Sequence, residues 1–264
     1  MKSFPIIIFL LAILLTATSC VSKKKLTYLQ YSDIGNDAEL PLRDLRISVT
    51  PSEYKLMPYD VLFIRVMTPD PQWSAIFNPA VGAGGSLTEE SASLSGYNVD
   101  GDGFIEIPYV GRVKVSGKTL GELKVELDEI FKKYVSDGAI TVRMVNNFVS
   151  IIGEVRAPGR YPLTKDRLNV FEALSLAGDL NDYSNRQKVQ LIRQTPYGPL
   201  VKEFSLRDRS ILTSEFYYIM PNDIIYAQPI RGRTFQTNSS VYTVFLSTIT
   251  TFLVIYSFFR TGGL

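Results

Sequence analysis

Near the end of the chain, 26 consecutive residues from Thr234 to Phe259 carry no charge, and from Val241 onward nearly all are apolar or hydroxylic. As a helix, Val241 to Phe259 rises about 28 Å, close to the hydrocarbon thickness of a bilayer. Arg231 and Arg233 flank one side and Arg260 the other, and Tyr242, Tyr256, Phe258 and Phe259 lie near the ends, where interfacial anchors belong. A water-facing fold has no place for this segment, so a transmembrane helix is expected over residues 239–260. Thr243, Ser247, Thr250 and Ser257 recur at spacings of four, three and seven, which places them on one helical stripe with Thr251 beside it. Two uses fit the stripe. It faces a pore or a neighbouring helix in a ring, or its hydroxyls bond back to their own helix, as is common in membranes.

The other end is apolar too. Lys2 precedes an unbroken apolar run from Ile6 to Leu15, followed by Thr16, Ala17, Thr18, Ser19 and Cys20. This reads as a signal peptide over residues 1–19, its core too short for a comfortable transmembrane helix. Small residues before a lone cysteine resemble a bacterial lipobox, with Ala17 where leucine is commonest; an ordinary signal with an incidental cysteine is the alternative. Acylation of Cys20 would anchor the chain, since each buried methylene adds about 0.8 kcal/mol of membrane affinity. Residues 20–50 then form a tether.

The composition narrows the chemistry. Histidine is absent, which removes Ser-His-Asp and Cys-His triads, His-ligated zinc and an imidazole base. Cys20 is the only cysteine, so no intrachain disulfide or thiolate cluster forms. The net charge of +2 gives no electrostatic case for nucleic acid. Neither a metal nor a cofactor is expected.

Between the ends the pattern is that of an α+β fold. Met57-Pro58-Tyr59-Asp60 is a turn that launches the β-rich run Val61 to Val66. Residues 69–98, rich in Pro, Gly, Ser and Ala, read as a long surface loop. Strands at Phe104–Ile107 and Val110–Val115 follow, and Thr119 with Glu122 forms a capping box. The helix it opens carries Leu120, Leu123, Leu127, Ile130, Phe131 and Tyr134 on one face. Ile140 to Val145 closes the unit.

A second unit begins with the strand Val149–Val155, interrupted at Gly153. It continues through a turn at Pro158-Gly159, a helix capped by Asn169 and Glu172 and ended by Gly178, and strands at 189–193 and 217–220. Pro58-Tyr59-Asp60 is echoed by Pro221-Asn222-Asp223, each launching an apolar strand. Asp60 and Asp223 could pass for a catalytic pair; turn acids bonding nearby amides account for them more simply.

Together these residues resemble the outer-membrane polysaccharide export proteins of the Wza-like type. Tyr54-Lys55-Leu56-Met57-Pro58-Tyr59-Asp60-Val61-Leu62 and the run from Val99 to Gly111, with Gly101, Pro108 and Gly111, match the export domain, expected over 51–146. Gly153, Pro158, Gly159 and Gly178 fall in a stretch similar to an SLBB β-grasp domain, expected over 147–233. The resemblance covers roughly residues 50–230. It implies two small periplasmic α+β units followed by a transmembrane helix in a protein acylated at Cys20. Such proteins assemble as a homo-oligomeric ring in the outer-membrane lipid, around a channel for a polysaccharide chain, and work with an inner-membrane polysaccharide co-polymerase. The hydroxyl stripe would then face the lumen or the adjacent helix.

Two further functions compete with a channel. A monomeric glycan-binding lipoprotein would use aromatics such as Trp73, Tyr161 and Tyr183. A carbohydrate-active enzyme would use Asp100, Asp102 and Glu106, although a turn leading into a strand explains their closeness.

Overall fold

The computed structural model describes residues 26–30, 52–78, 96–135, 137–165 and 167–260. The expected signal peptide, Cys20 and most of the 20–50 tether lie outside them.

Two hydrophobic clusters organise the fold. The first gathers Leu56, Leu62, Ile64, Val66, Phe77, Ile105, Leu123, Leu127 and Phe131. Strand β1 (Val61–Met67) buries every second residue, so Leu62, Ile64 and Val66 face the core. It pairs antiparallel with β2 (Tyr97–Asn98) on one side and, after the hairpin of β3 (Phe104–Ile107) and β4 (Gly111–Lys114), with β5 (Ala139–Met144) on the other.

The segment 69–98 is not wholly a loop. Helix α1 (Pro71–Phe77) forms within it, with Asp70 accepting from the Gln72 amide at 2.8 Å and Pro at its first turn. Its purpose is to deliver Phe77, 1% exposed, onto Phe131 at 4.9 Å between ring centroids. Seven residues are too few for helical periodicity to register; the Asp-Pro start was the available signal. Residues 79–95 of the expected loop are outside the described residues.

Helix α2 (Leu120–Phe131) carries the expected capping box: Glu122 N donates to Thr119 Oγ1 and Thr119 N to the Glu122 carboxylate. Leu123, Leu127 and Phe131 form its buried stripe.

The second cluster gathers Val149, Ile151, Val170, Leu174, Val189, Leu191 and Ile225. Its sheet orders β10 (Gly198–Phe204), β9 (Ser184–Thr195), β12 (Ile224–Pro229), β6 (Phe148–Gly153) and β7 (Gly159–Pro162). Only β12 and β6 run parallel. Helix α3 (Val170–Leu176) is boxed by Asn169 and Glu172 and buries Val170, Ala173 and Leu174. A small ladder of β8 (Leu168–Asn169) and β11 (Tyr218–Ile219) sits beside it.

Part of the expected tether is docked. Tyr28 donates its hydroxyl to Asp179 at 2.6 Å and meets Phe171 edge-on, while Leu29 N donates to Leu206 O at 3.1 Å.

From β12 the chain passes directly into α4 (Arg231–Arg260). The helix therefore starts eight residues before the expected 239, because no proline follows Pro229 to stop it. The architecture is mixed α+β with a C-terminal apolar helix, as the sequence pattern indicates.

Candidate functional site

The motifs of the two units meet at a joint. In the first unit, Met57-Pro58-Tyr59-Asp60 closes a turn in which Asp60 N donates to Met57 O at 3.2 Å and Tyr59 has φ +72°. In the second, Asp223 N donates to Met220 O at 3.2 Å and Asn222 has φ +64°. Proline at the second position and positive φ at the third define a type II turn. Each aspartate also accepts the amide three residues back at 2.8 Å, from Met57 and from Met220. The sequence echo is therefore the same turn built twice.

The two buried carboxylates are satisfied differently. Asp60 accepts from the Tyr54 hydroxyl at 3.0 Å and from Asn146 Nδ2 at 3.4 Å. Asp223 takes both Nε and Nη2 of Arg193, at 3.0 and 2.7 Å, in a pair whose carboxylate is fully buried. Burial raises the pKa of both acids above the ordinary value, opposed by these donors. Both acids are consumed by turn and partner bonds, and neither offers a free proton acceptor.

Tyr54 stands between the turns. Burial and the neighbouring Asp60 carboxylate push its hydroxyl pKa well above the ordinary range, and Asn222 of the other unit lies near enough to oppose that shift. The covalent link is pinned as well: Asn146 Oδ1 accepts from Val61 N at 3.0 Å, and Asn147 Nδ2 donates to Leu163 O at 3.1 Å. Beside this joint opens a cleft of about 480 Å³, with Tyr54, Thr119 and Met144 on one side and Arg167, Tyr218 and Pro221 on the other.

Several motif residues serve the backbone. Gly101 sits in the turn where Asp100 accepts from Phe104 N and Asp102 N, and Arg112 pairs with Asp100 at 2.6 Å. Pro108 and Gly111 flank the tip of the β3–β4 hairpin. Gly153 has φ +93°, and a Cβ there would overlap the carbonyl oxygen of Ala227. Pro158 and Gly159 lead into β7, and Gly178 follows α3 with φ +72°. Trp73 stacks on Phe77 and Tyr161 packs against the second core.

Helix α4 is the feature left unused by the fold. From Thr243 to Arg260 it is long and apolar enough to cross a membrane, and none of that span is buried within the chain. Within the stripe, Ser247 Oγ donates to Val244 O at 2.8 Å and Thr250 Oγ1 to Ser247 O at 2.9 Å. Thr243 and Ser257 are exposed along the same helix. A hydroxyl that donates to its helix keeps its acceptor lone pairs.

Residues 48–145 match the family model described as polysaccharide biosynthesis/export protein. The match makes the first unit similar to a polysaccharide export domain. The chain is similar to the EPS I polysaccharide export outer membrane protein EpsA of Ralstonia nicotianae, 34% identical over 105 residues, which cover 38% of this chain and 28% of that protein. It is 31% identical over 140 residues to the exopolysaccharide production protein ExoF of Rhizobium meliloti, covering 52% of this chain and 30% of that one. To the capsule polysaccharide export outer membrane protein CtrA of Neisseria meningitidis serogroup A it is 28% identical over 151 residues, 56% of this chain and 38% of that protein. The matched stretches thus span only about a third of these relatives' lengths. The matched residues hold the Tyr54–Asp60 half of the joint and one wall of the cleft.

Proposed function

We propose that the chain is a subunit of an oligomeric outer-membrane channel that exports capsular or extracellular polysaccharide and performs no catalysis. The observation that carries this reading is α4: 18 residues, Thr243–Arg260, that bury nothing against their own chain. Exposing that much apolar side chain to water is unfavourable by roughly 25 cal/mol per Å², so the helix needs lipid or other copies around it. The export domain and the names of the relatives supply the cargo class.

On this reading residues 1–19 are a removed signal, Cys20 carries acyl chains, and residues 51–146 and 147–233 form the periplasmic body as an export domain and an SLBB-like domain. Helix α4 packs with its copies through the outer membrane, and an inner-membrane co-polymerase delivers the polysaccharide chain. Thr243, Ser247, Thr250 and Ser257 line the lumen or the helix–helix seam. Neutral hydroxyls suit a hydrated sugar chain because they exchange hydrogen bonds without fixed charge.

The test is accessibility. Thr243→Cys, Ser247→Cys, Thr250→Cys and Ser257→Cys should react with water-soluble thiol reagents faster than Val244→Cys and Phe252→Cys. Equal labelling on both faces would remove the lumen assignment. The back-bonding of Ser247 and Thr250 favours a second reading, a single anchor on a monomeric glycan-binding lipoprotein, and a stable monomer in detergent would support it.

A further inference from the structure

We propose that the cleft between the two units is a binding site for an acidic sugar residue of a polysaccharide, with Arg167 recognising its carboxylate. The inference rests on the export reading only for the class of ligand.

The cleft's volume of about 480 Å³ lies within the range of small-molecule sites and holds one or two pyranose rings. Its walls come from both units, so a ligand seated there touches each of them. Arg167 is exposed at the rim, and its guanidinium makes no hydrogen bond or ion pair among the described residues. Lys165, on the same wall, is held by Glu172 at 3.1 Å. A guanidinium fork matches a carboxylate with two parallel hydrogen bonds, a geometry that a neutral sugar cannot supply.

The remaining lining suits the rest of a sugar. Tyr218 is fixed edge-on against Tyr217 at 5.0 Å, which leaves its ring preset in the cleft wall. Leu120 and Met144 give apolar surface for the C–H face of a pyranose. Asn147 donates its Nδ2 to Leu163 O, which ties the two walls together at the back of the cleft. The exposed Glu53 lines the same cleft, and its carboxylate accepts from sugar hydroxyls. A cation unpaired among the described residues, an aromatic ring and an exposed carboxylate acceptor together specify an anionic saccharide more closely than a simple anion.

The experiment is calorimetric titration of the full chain in detergent with tetragalacturonate, with a neutral glucose tetraose and with inorganic phosphate. The acidic tetrasaccharide should bind at least tenfold more tightly than either of the others. Arg167→Ala should weaken it at least tenfold, with circular dichroism unchanged, and Arg167→Lys should restore part of the loss. Equal binding of the neutral tetraose, phosphate binding as tightly as the oligosaccharide, no binding at all, or an unaffected Arg167→Ala variant would each overturn the proposal. Light scattering on the same samples separates the two readings: a ring that does not bind removes the cleft site and leaves the channel standing.

Discussion

The hydroxyl of Tyr54 donates to the buried carboxylate of Asp60 at 3.0 Å, tying the extended segment that enters the first unit to the turn that launches its central strand. Removing the acceptor strands three donors at once: the Tyr54 hydroxyl, Met57 N and Asn146 Nδ2. Asp60→Ala should therefore destabilise the chain by about 2–4 kcal/mol, read from chemical unfolding in detergent. Tyr54→Phe loses one bond and should cost about 1 kcal/mol.

The Arg193–Asp223 pair is buried, so its partners are not equivalent to their sum. Asp223→Ala or Arg193→Ala leaves an uncompensated charge and should cost about 3–5 kcal/mol. The double variant Arg193→Met with Asp223→Leu should recover most of that loss. Additive single losses in the double variant would show that the pair is not coupled in this way.

Gly153 and Gly117 separate backbone strain from steric overlap. Both have positive φ, +93° and +85°, but only at Gly153 would a Cβ meet the Ala227 carbonyl. Gly117→Ala should cost about 1–2 kcal/mol, and Gly153→Ala distinctly more, about 3 kcal/mol or above. Thermal unfolding of both variants should rank them in that order.

Tyr59 occupies a turn position where its counterpart is Asn222, and it is 78% exposed with φ +72°. Asparagine tolerates that conformation better than tyrosine. Tyr59→Asn should stabilise the chain by about 0.5–1 kcal/mol. A loss of stability would show that the tyrosine ring packs to more effect than its exposure suggests.

The α2 capping box should titrate. The Thr119 amide holds the Glu122 carboxyl below its ordinary 4.5. A lowered folded pKa contributes stability above the unfolded value and loses it as pH falls through the folded one. The stability advantage of the native chain over Glu122→Gln should accordingly be present at pH 7 and shrink below about pH 4.5. Asp60 and Asp223 act in the opposite sense, since their raised pKa values contribute most at acid pH, below 3.8, and lose that contribution as pH rises through the folded values.

Local chemistry was legible in the residues. Alternation at Leu62, Ile64 and Val66 marks β1, and the Thr119–Glu122 and Asn169–Glu172 pairs mark two helix starts. What was not legible depends on distant partners. Strand β10 is exposed on both faces along most of its length and begins beside Pro199, so no alternation announces it. Arg193 finds Asp223 across 30 residues, and Tyr28 finds Asp179 across 151. The cleft is invisible in sequence because its walls come from separate segments spread between Ser52 and Pro221. The hydroxyl stripe was legible as a stripe, whereas its facing depends on neighbours outside the chain.

The most direct test of the central claim is the particle formed by the full chain in detergent, imaged by electron cryo-microscopy. The channel account predicts a closed ring in which the α4 helices surround a central pore, with the Thr243–Ser257 stripe on its inner wall or at the seams. A monodisperse monomer, or a ring whose α4 helices splay apart without enclosing a pore, would contradict it.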